Sequence, residues 1–198
     1  LFPTSEVRDI LAGLPQEEDT PWKIVKDHLM PVRDRIFLVA NTKAHPDMWM
    51  RDFKFTSEFI DNPQVHNNIL STFEDKQRPN GQIPTAIGIW GSTPWHFADD
   101  ESTLLYVISA AELVKHDKNF LTPKRQDKLE AALGFIDKHA FDGRYVIPPG
   151  DRRGWVDAFI YPKSDINTHT QGLYALALMS LWQMGYASVP HGEAYVAK

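Results

Sequence analysis

The sequence predicts an all-α fold of helical hairpins, part of a larger barrel of concentric inner and outer helices with its long loops on one rim. Three observations lead there. Apolar residues recur at helical spacing in successive segments after Asp52, and two segments open on a capping residue followed by proline, at Asn62-Pro63 and Thr122-Pro123. Short connections alternate with long ones that carry tryptophans and carboxylates, whereas a plain helix bundle, the competing topology, would have short links throughout.

Taken in order, the polar and apolar mixture before Asp19 leaves room for one short helix around Val7 to Leu11. Between Trp22 and Val39, Pro31 interrupts the apolar pattern, which predicts a helix followed by an extended segment. Phe53, Phe55, Phe59 and Ile60 mark a helix that stops before Asn62. Asn62 then caps a helix buried through Ile69, Leu70 and Phe73, and the pair reads as an αα-hairpin. Pro79, Asn80, Gly81 and Pro84 signal a turn that begins a long loop to Asp99. The helix from Asp100 to Lys115 and its partner from Thr122 to about Ala140 form a second hairpin. The loop from Phe141 to Asn167 has space for a short strand pair, and Leu173, Leu176, Ala177, Leu181 and Met184 define a last amphipathic helix ending near Gly185.

Composition narrows the function. The chain of 198 residues is long enough to stand on a hydrophobic core, and it contains no cysteine, so disulfides, thiolate nucleophiles and cysteine metal sites are excluded. Its formal charge of -5 is spread without a basic cluster, which argues against a nucleic-acid partner. No apolar run approaches the roughly 20 residues that span a bilayer, so a soluble protein with no membrane association is expected and the compartment stays open. The histidines have no ligand spacing, and no HExxH, calcium-loop, P-loop, GxSxG or dinucleotide-binding pattern occurs, so neither a metal nor a cofactor is expected.

Four clusters carry the candidate chemistry. In Trp49-Met50-Arg51-Asp52, Asp52 either favours a helix dipole or accepts from sugar hydroxyls while Trp49 stacks on a pyranose. Trp90 and Trp95 sit in a glycine- and proline-rich loop, as loop packing or as a ligand platform; Asp100 and Glu101 follow at the helix start, and periodicity does not choose between them. Asp157 lies close to Trp155 after Gly154, where desolvation against an aromatic wall would raise a carboxyl pKa enough for proton donation; the alternative is a solvent-facing Asp157 satisfied by Arg152 or Arg153. His169 and Gln171 precede the last helix and could donate to hydroxyls, beside Asn167 or Thr168 as caps.

The order of Trp49-Met50-Arg51-Asp52-Phe53, Asn80-Gly81-Gln82-Ile83-Pro84, Asp100-Glu101-Ser102-Thr103-Leu104-Leu105 and Gly154-Trp155-Val156-Asp157-Ala158 resembles the six-hairpin glycosidases, nearest in pattern to the amylo-α-1,6-glucosidase, or glycogen-debranching, type. The resemblance implies an (α/α)6 toroid, with residues 1–48 as a lead-in and residues 49–198 as the N-terminal part of one catalytic domain. It further implies an inverting glycoside hydrolase, with Asp157 as general acid, Arg51, Asp52 and Asp100 as sugar ligands, and the general base outside this chain. Thr170 and Gln171 stand where the family often has a glutamate-asparagine pair. A toroid of six hairpins needs more helices than are legible here, so a C-terminal continuation or a second chain is expected to complete it. A carbohydrate-binding or scaffold protein, or a phosphorylase, lyase or epimerase on the same barrel, would share these features.

Overall fold

The computed structural model describes residues 2–14, 25–40, 46–60, 62–89, 97, 101–141, 143–146 and 168–186. Local sequence sets most helix ends. α1 (Ser5–Ala12) starts beneath Thr4, whose hydroxyl accepts from the Val7 amide. α2 (Met50–Thr56) runs into a 3-10 turn at Ser57–Phe59. α3 (Pro63–Asp75) is capped by Asn62, which accepts from the amides of Gln64 and Val65, with Pro63 in the first turn where no amide donor is needed. α4 (Glu101–His116) and α5 (Pro123–His139) are joined through a 3-10 turn at Lys118–Phe120, and Thr122 caps α5. α6 (Thr168–Gln183) closes with paired bonds, Tyr186 N to Leu181 O and Gly185 N to Trp182 O, which require the left-handed φ of +89° at Gly185.

Three small antiparallel sheets lie between and beside these helices. β1 (Leu29–Val32) and β2 (Arg35–Leu38) form a hairpin with Leu29 opposite Leu38. Its two-residue turn places Arg33 at a φ of +56°, the positive value such turns demand. β3 (Asp47–Trp49) pairs with β4 (Ala86–Gly88), Trp49 opposite Ala86, and β5 (Ala140–Phe141) pairs with β6 (Arg144–Tyr145).

These sheets overturn the all-α expectation. Among the described residues the architecture is mixed α/β, with seven α-helical segments, counting residues 25–27, and three two-stranded sheets, and not the purely helical twelve-helix (α/α)6 toroid. The cause lies in the connections. Pro31 ends helical propagation, yet it fits a two-stranded sheet, where both strands are edges; it faces Ile36 there. Residues 83–87 are buried, so their backbone groups must find partners, and the segment bonds to β3 and to the starts of two helices.

α4 is the central element. Twelve of its residues are buried, including Leu104, Leu105, Val107 and Leu113, and it packs against α2, α3, α5 and α6. The β1–β2 hairpin rests on α3, where Asn68 accepts from the Ile36 amide at 2.7 Å and donates to Asp34 O. α6 buries Leu173, Tyr174, Ala177, Leu178 and Leu181, but Leu176, assigned by periodicity to the buried face, is half exposed together with Met179 and Trp182.

Candidate functional site

Three backbone anchors bring the first turns of α2, α4 and α6 to one place. The Met50 amide donates to Thr85 O at 3.0 Å, tying the start of α2 to the segment leading into β4. The Ile83 amide donates to the Thr103 hydroxyl at 3.1 Å, tying that same segment to the first turn of α4. Gln171 holds the first turn of α6 to β6 through both ends of its amide, accepting from Tyr145 N at 2.9 Å and donating to Tyr145 O at 2.6 Å.

The convergence assembles Arg51, Glu101, His169 and Thr170. The Thr170 hydroxyl donates to Glu101 Oε1 at 2.6 Å. The other carboxylate oxygen of Glu101 lies 4.0 Å from Arg51 Nη2 and 3.8 Å from His169 Nε2. The Glu101 side chain is 2% exposed, so its charge is held away from water and depends on these neighbours. Burial first, and the Arg51 cation second, push the His169 imidazole below its ordinary value of 6.5. His169 is therefore neutral near pH 7, and its contact with Glu101 is that of a dipole with a charge, not an ion pair.

Arg51 also lines a cleft of about 600 Å³, a size ordinary for small-ligand sites. Leu38 and Val39 supply apolar wall, Phe55 presents a half-exposed ring, and His28, Asp52 and Thr56 add polar groups. Asp52 is exposed in the first turn of α2. Its neighbour Arg51 thus connects an open cleft to a buried carboxylate.

The sequence-selected residues fall into three groups. Arg51, Glu101 and His169 meet, and Asp52 shares the cleft with Arg51. Trp49 is half-buried in β3, and the Gln171 amide is engaged on the Tyr145 backbone. Trp90, Trp95, Asp100, Trp155 and Asp157 lie outside the described residues. His28, Leu38 of β2 and Val39 just after it were missed because they stand far from any polar cluster in sequence. Phe55 carried a usable signal, since it stands one helical turn beyond Arg51. Thr170 was seen only as a departure from a family pattern, and its bond to a residue 69 positions earlier has no local signature.

No family model matches the chain, and no curated protein matches it. The six-hairpin glycosidase assignment consequently loses both its fold and any support from relatives. Glycoside hydrolysis was inferred from that assignment and is withdrawn with it, as are the phosphorylase, lyase and epimerase activities argued from the same barrel. The geometry around Arg51 stands independently of that inference. Among the described residues, no group of three or more histidine or acidic side chains is placed to hold a metal ion, and no helix is long and apolar enough to cross a membrane.

Proposed function

We propose that the chain binds a small, uncharged, hydroxyl-rich molecule in the cleft beside Arg51, a carbohydrate ring being the ligand class with that chemistry. The observation that carries this reading is the placement of a cation, an exposed carboxylate and an aromatic ring, Arg51, Asp52 and Phe55, around one cleft with apolar wall. A guanidinium donates only and a carboxylate accepts only, so together they satisfy hydroxyls, which do both. The C–H face of a ring can lie on Phe55 or Leu38 while its hydroxyls meet the charged pair. A purely anionic ligand would meet Asp52 at the same opening, and a purely apolar one would strip water from Arg51 and Asp52 without replacing its hydrogen bonds.

Calorimetric titration with neutral mono- and disaccharides, and with inorganic phosphate and acetate for comparison, tests the reading. The expected result is saccharide binding that Arg51→Ala weakens but leaves measurable while the fold is retained. Binding of the anions alone, or saccharide binding indifferent to Arg51, would overturn it.

A further inference from the structure

The geometry points to Glu101 as a positioning residue, whose buried carboxylate holds the Arg51 guanidinium in the orientation the cleft uses and touches no ligand itself. The inference rests on the proposed ligand-binding reading for its affinity consequences, but not for its structural content. Arg51 sits at the boundary between the two environments: it lines the cleft, and its Nη2 lies 4.0 Å from Glu101 Oε2. Glu101 is not among the residues lining the cleft, and its side chain is 2% exposed. A group so placed acts on a ligand through a neighbour.

The carboxylate is itself located from two directions. Thr170 fixes Oε1 by a 2.6 Å hydrogen bond from α6, and the start of α4 fixes the backbone, where Thr103 is bonded to Ile83 N. His169 approaches Oε2 at 3.8 Å from the same turn of α6. Arg51 is thereby referenced to two other helices as well as its own. An arginine side chain has many rotamers, and one already held in its bound orientation loses less freedom when a ligand arrives. Loosening Glu101 should therefore weaken binding without removing any ligand contact.

The test combines affinity with a signal that needs no ligand. Wild type, Glu101→Gln, Arg51→Ala and the double variant are first compared by thermal unfolding, then titrated with the saccharide that binds wild type best. Ordering one rotamer-rich side chain converts to about twofold to tenfold in affinity, so Glu101→Gln should weaken binding by a factor in that range, and the double variant should bind no worse than Arg51→Ala alone. In parallel, the Arg51 Nε–H resonance is followed by NMR in the free protein. Wild type should show restricted guanidinium rotation that Glu101→Gln releases. Thr170→Val, which keeps the carboxylate and removes its 2.6 Å anchor, should show a smaller release and serves if Glu101→Gln does not fold. Unchanged Arg51 dynamics in both variants, or affinity losses that simply add in the double variant, would overturn the positioning role. If wild type binds no saccharide, the ligand reading fails, while the Arg51 resonance still decides the role of Glu101.

Discussion

Arg125 Nε lies 2.5 Å from Glu74 Oε1, with both side chains no more than 3% exposed. This pair joins α5 to α3. The rest of the Arg125 fork donates to Asn67 Oδ1, Phe120 O and Ser71 Oγ, and the Tyr106 hydroxyl of α4 donates to the same oxygen of Glu74. Burial, followed by the Glu74 charge, holds the Tyr106 phenol well above its usual 10.0, so it is a permanent donor. Arg125→Met would strand a buried carboxylate and should cost about 3 to 5 kcal/mol in urea unfolding. Adding Glu74→Leu should restore part of that loss. A double variant less stable than Arg125→Met would show that the other partners of Glu74, not its charge, dominate.

Gly81 should be hard to replace. The turn that starts at Arg78 closes with Gly81 N donating to Arg78 O at 2.9 Å, and Gly81 has a φ of +94°. A Cβ there would sit 1.9 Å from Ala131 O, a backbone atom of α5 that cannot swing aside. Gly81→Ala combines left-handed strain with that clash and should destabilise by roughly 2 to 4 kcal/mol, seen as a fall in Tm of about 5 to 15 °C. A shift of a degree or less would mean that the turn can move away from α5.

These two contacts also show what the sequence could and could not reveal. Asn62-Pro63, Thr122-Pro123 and Gly185 marked helix ends because capping is local chemistry, readable within four residues. Part of the β-structure was legible, as the extended segment around Pro31 and the strand pair allowed after Phe141, but the pairing of β3 with β4 was hidden for the opposite reason. Trp49 pairs with Ala86 across the whole of α2 and α3, and strands of two to four residues carry too little alternation to be read. In the site, Arg51 and Asp52 could be chosen by their neighbours in sequence. That Glu101 turns inward could not, because Thr170, which bonds its carboxylate, lies on a helix 69 positions later.

His66 should make stability fall on mild acidification. Its imidazole is buried on α3 and meets the Phe53 ring edge-on at 5.0 Å, while Nε2 makes no hydrogen bond among the described residues. Burial first, then the charges of Arg125, His116 and Lys54, lower its pKa from 6.5 to about 4. The unfolded chain therefore takes up the proton first as pH falls. Stability is fully present above pH 6.5 and is lost as the pH drops toward 4, by roughly 3 kcal/mol at about 1.4 kcal/mol per pH unit. His66→Leu keeps the apolar contact and has no proton to take up. Urea unfolding at pH 7.5 and pH 4.5 should show a clear stability loss for wild type beyond that of His66→Leu. Parallel losses in the two proteins would assign the acid sensitivity to other groups.

Asp52 should set the charge preference of the cleft. It is exposed beside Arg51, so a neutral hydroxyl-bearing ligand can donate to it, whereas an anion is repelled by it while being attracted to the guanidinium. Asp52→Asn removes the repulsion and exchanges a charged acceptor for a neutral one. Saccharide affinity should fall by about threefold to tenfold, the scale of losing charge assistance at an exposed hydrogen bond, and phosphate affinity should rise. Ionic strength separates the two effects. Binding of an uncharged ligand should change little between 0.05 and 0.5 M salt, whereas phosphate binding to Asp52→Asn should weaken steeply, because at about 0.15 M salt exposed charges are screened beyond roughly 8 Å. Calorimetry on wild type and Asp52→Asn at both salt concentrations gives all four comparisons. Stronger saccharide binding by Asp52→Asn, or phosphate binding that ignores the substitution, would place the ligand away from Asp52 and leave Arg51 acting without its neighbour.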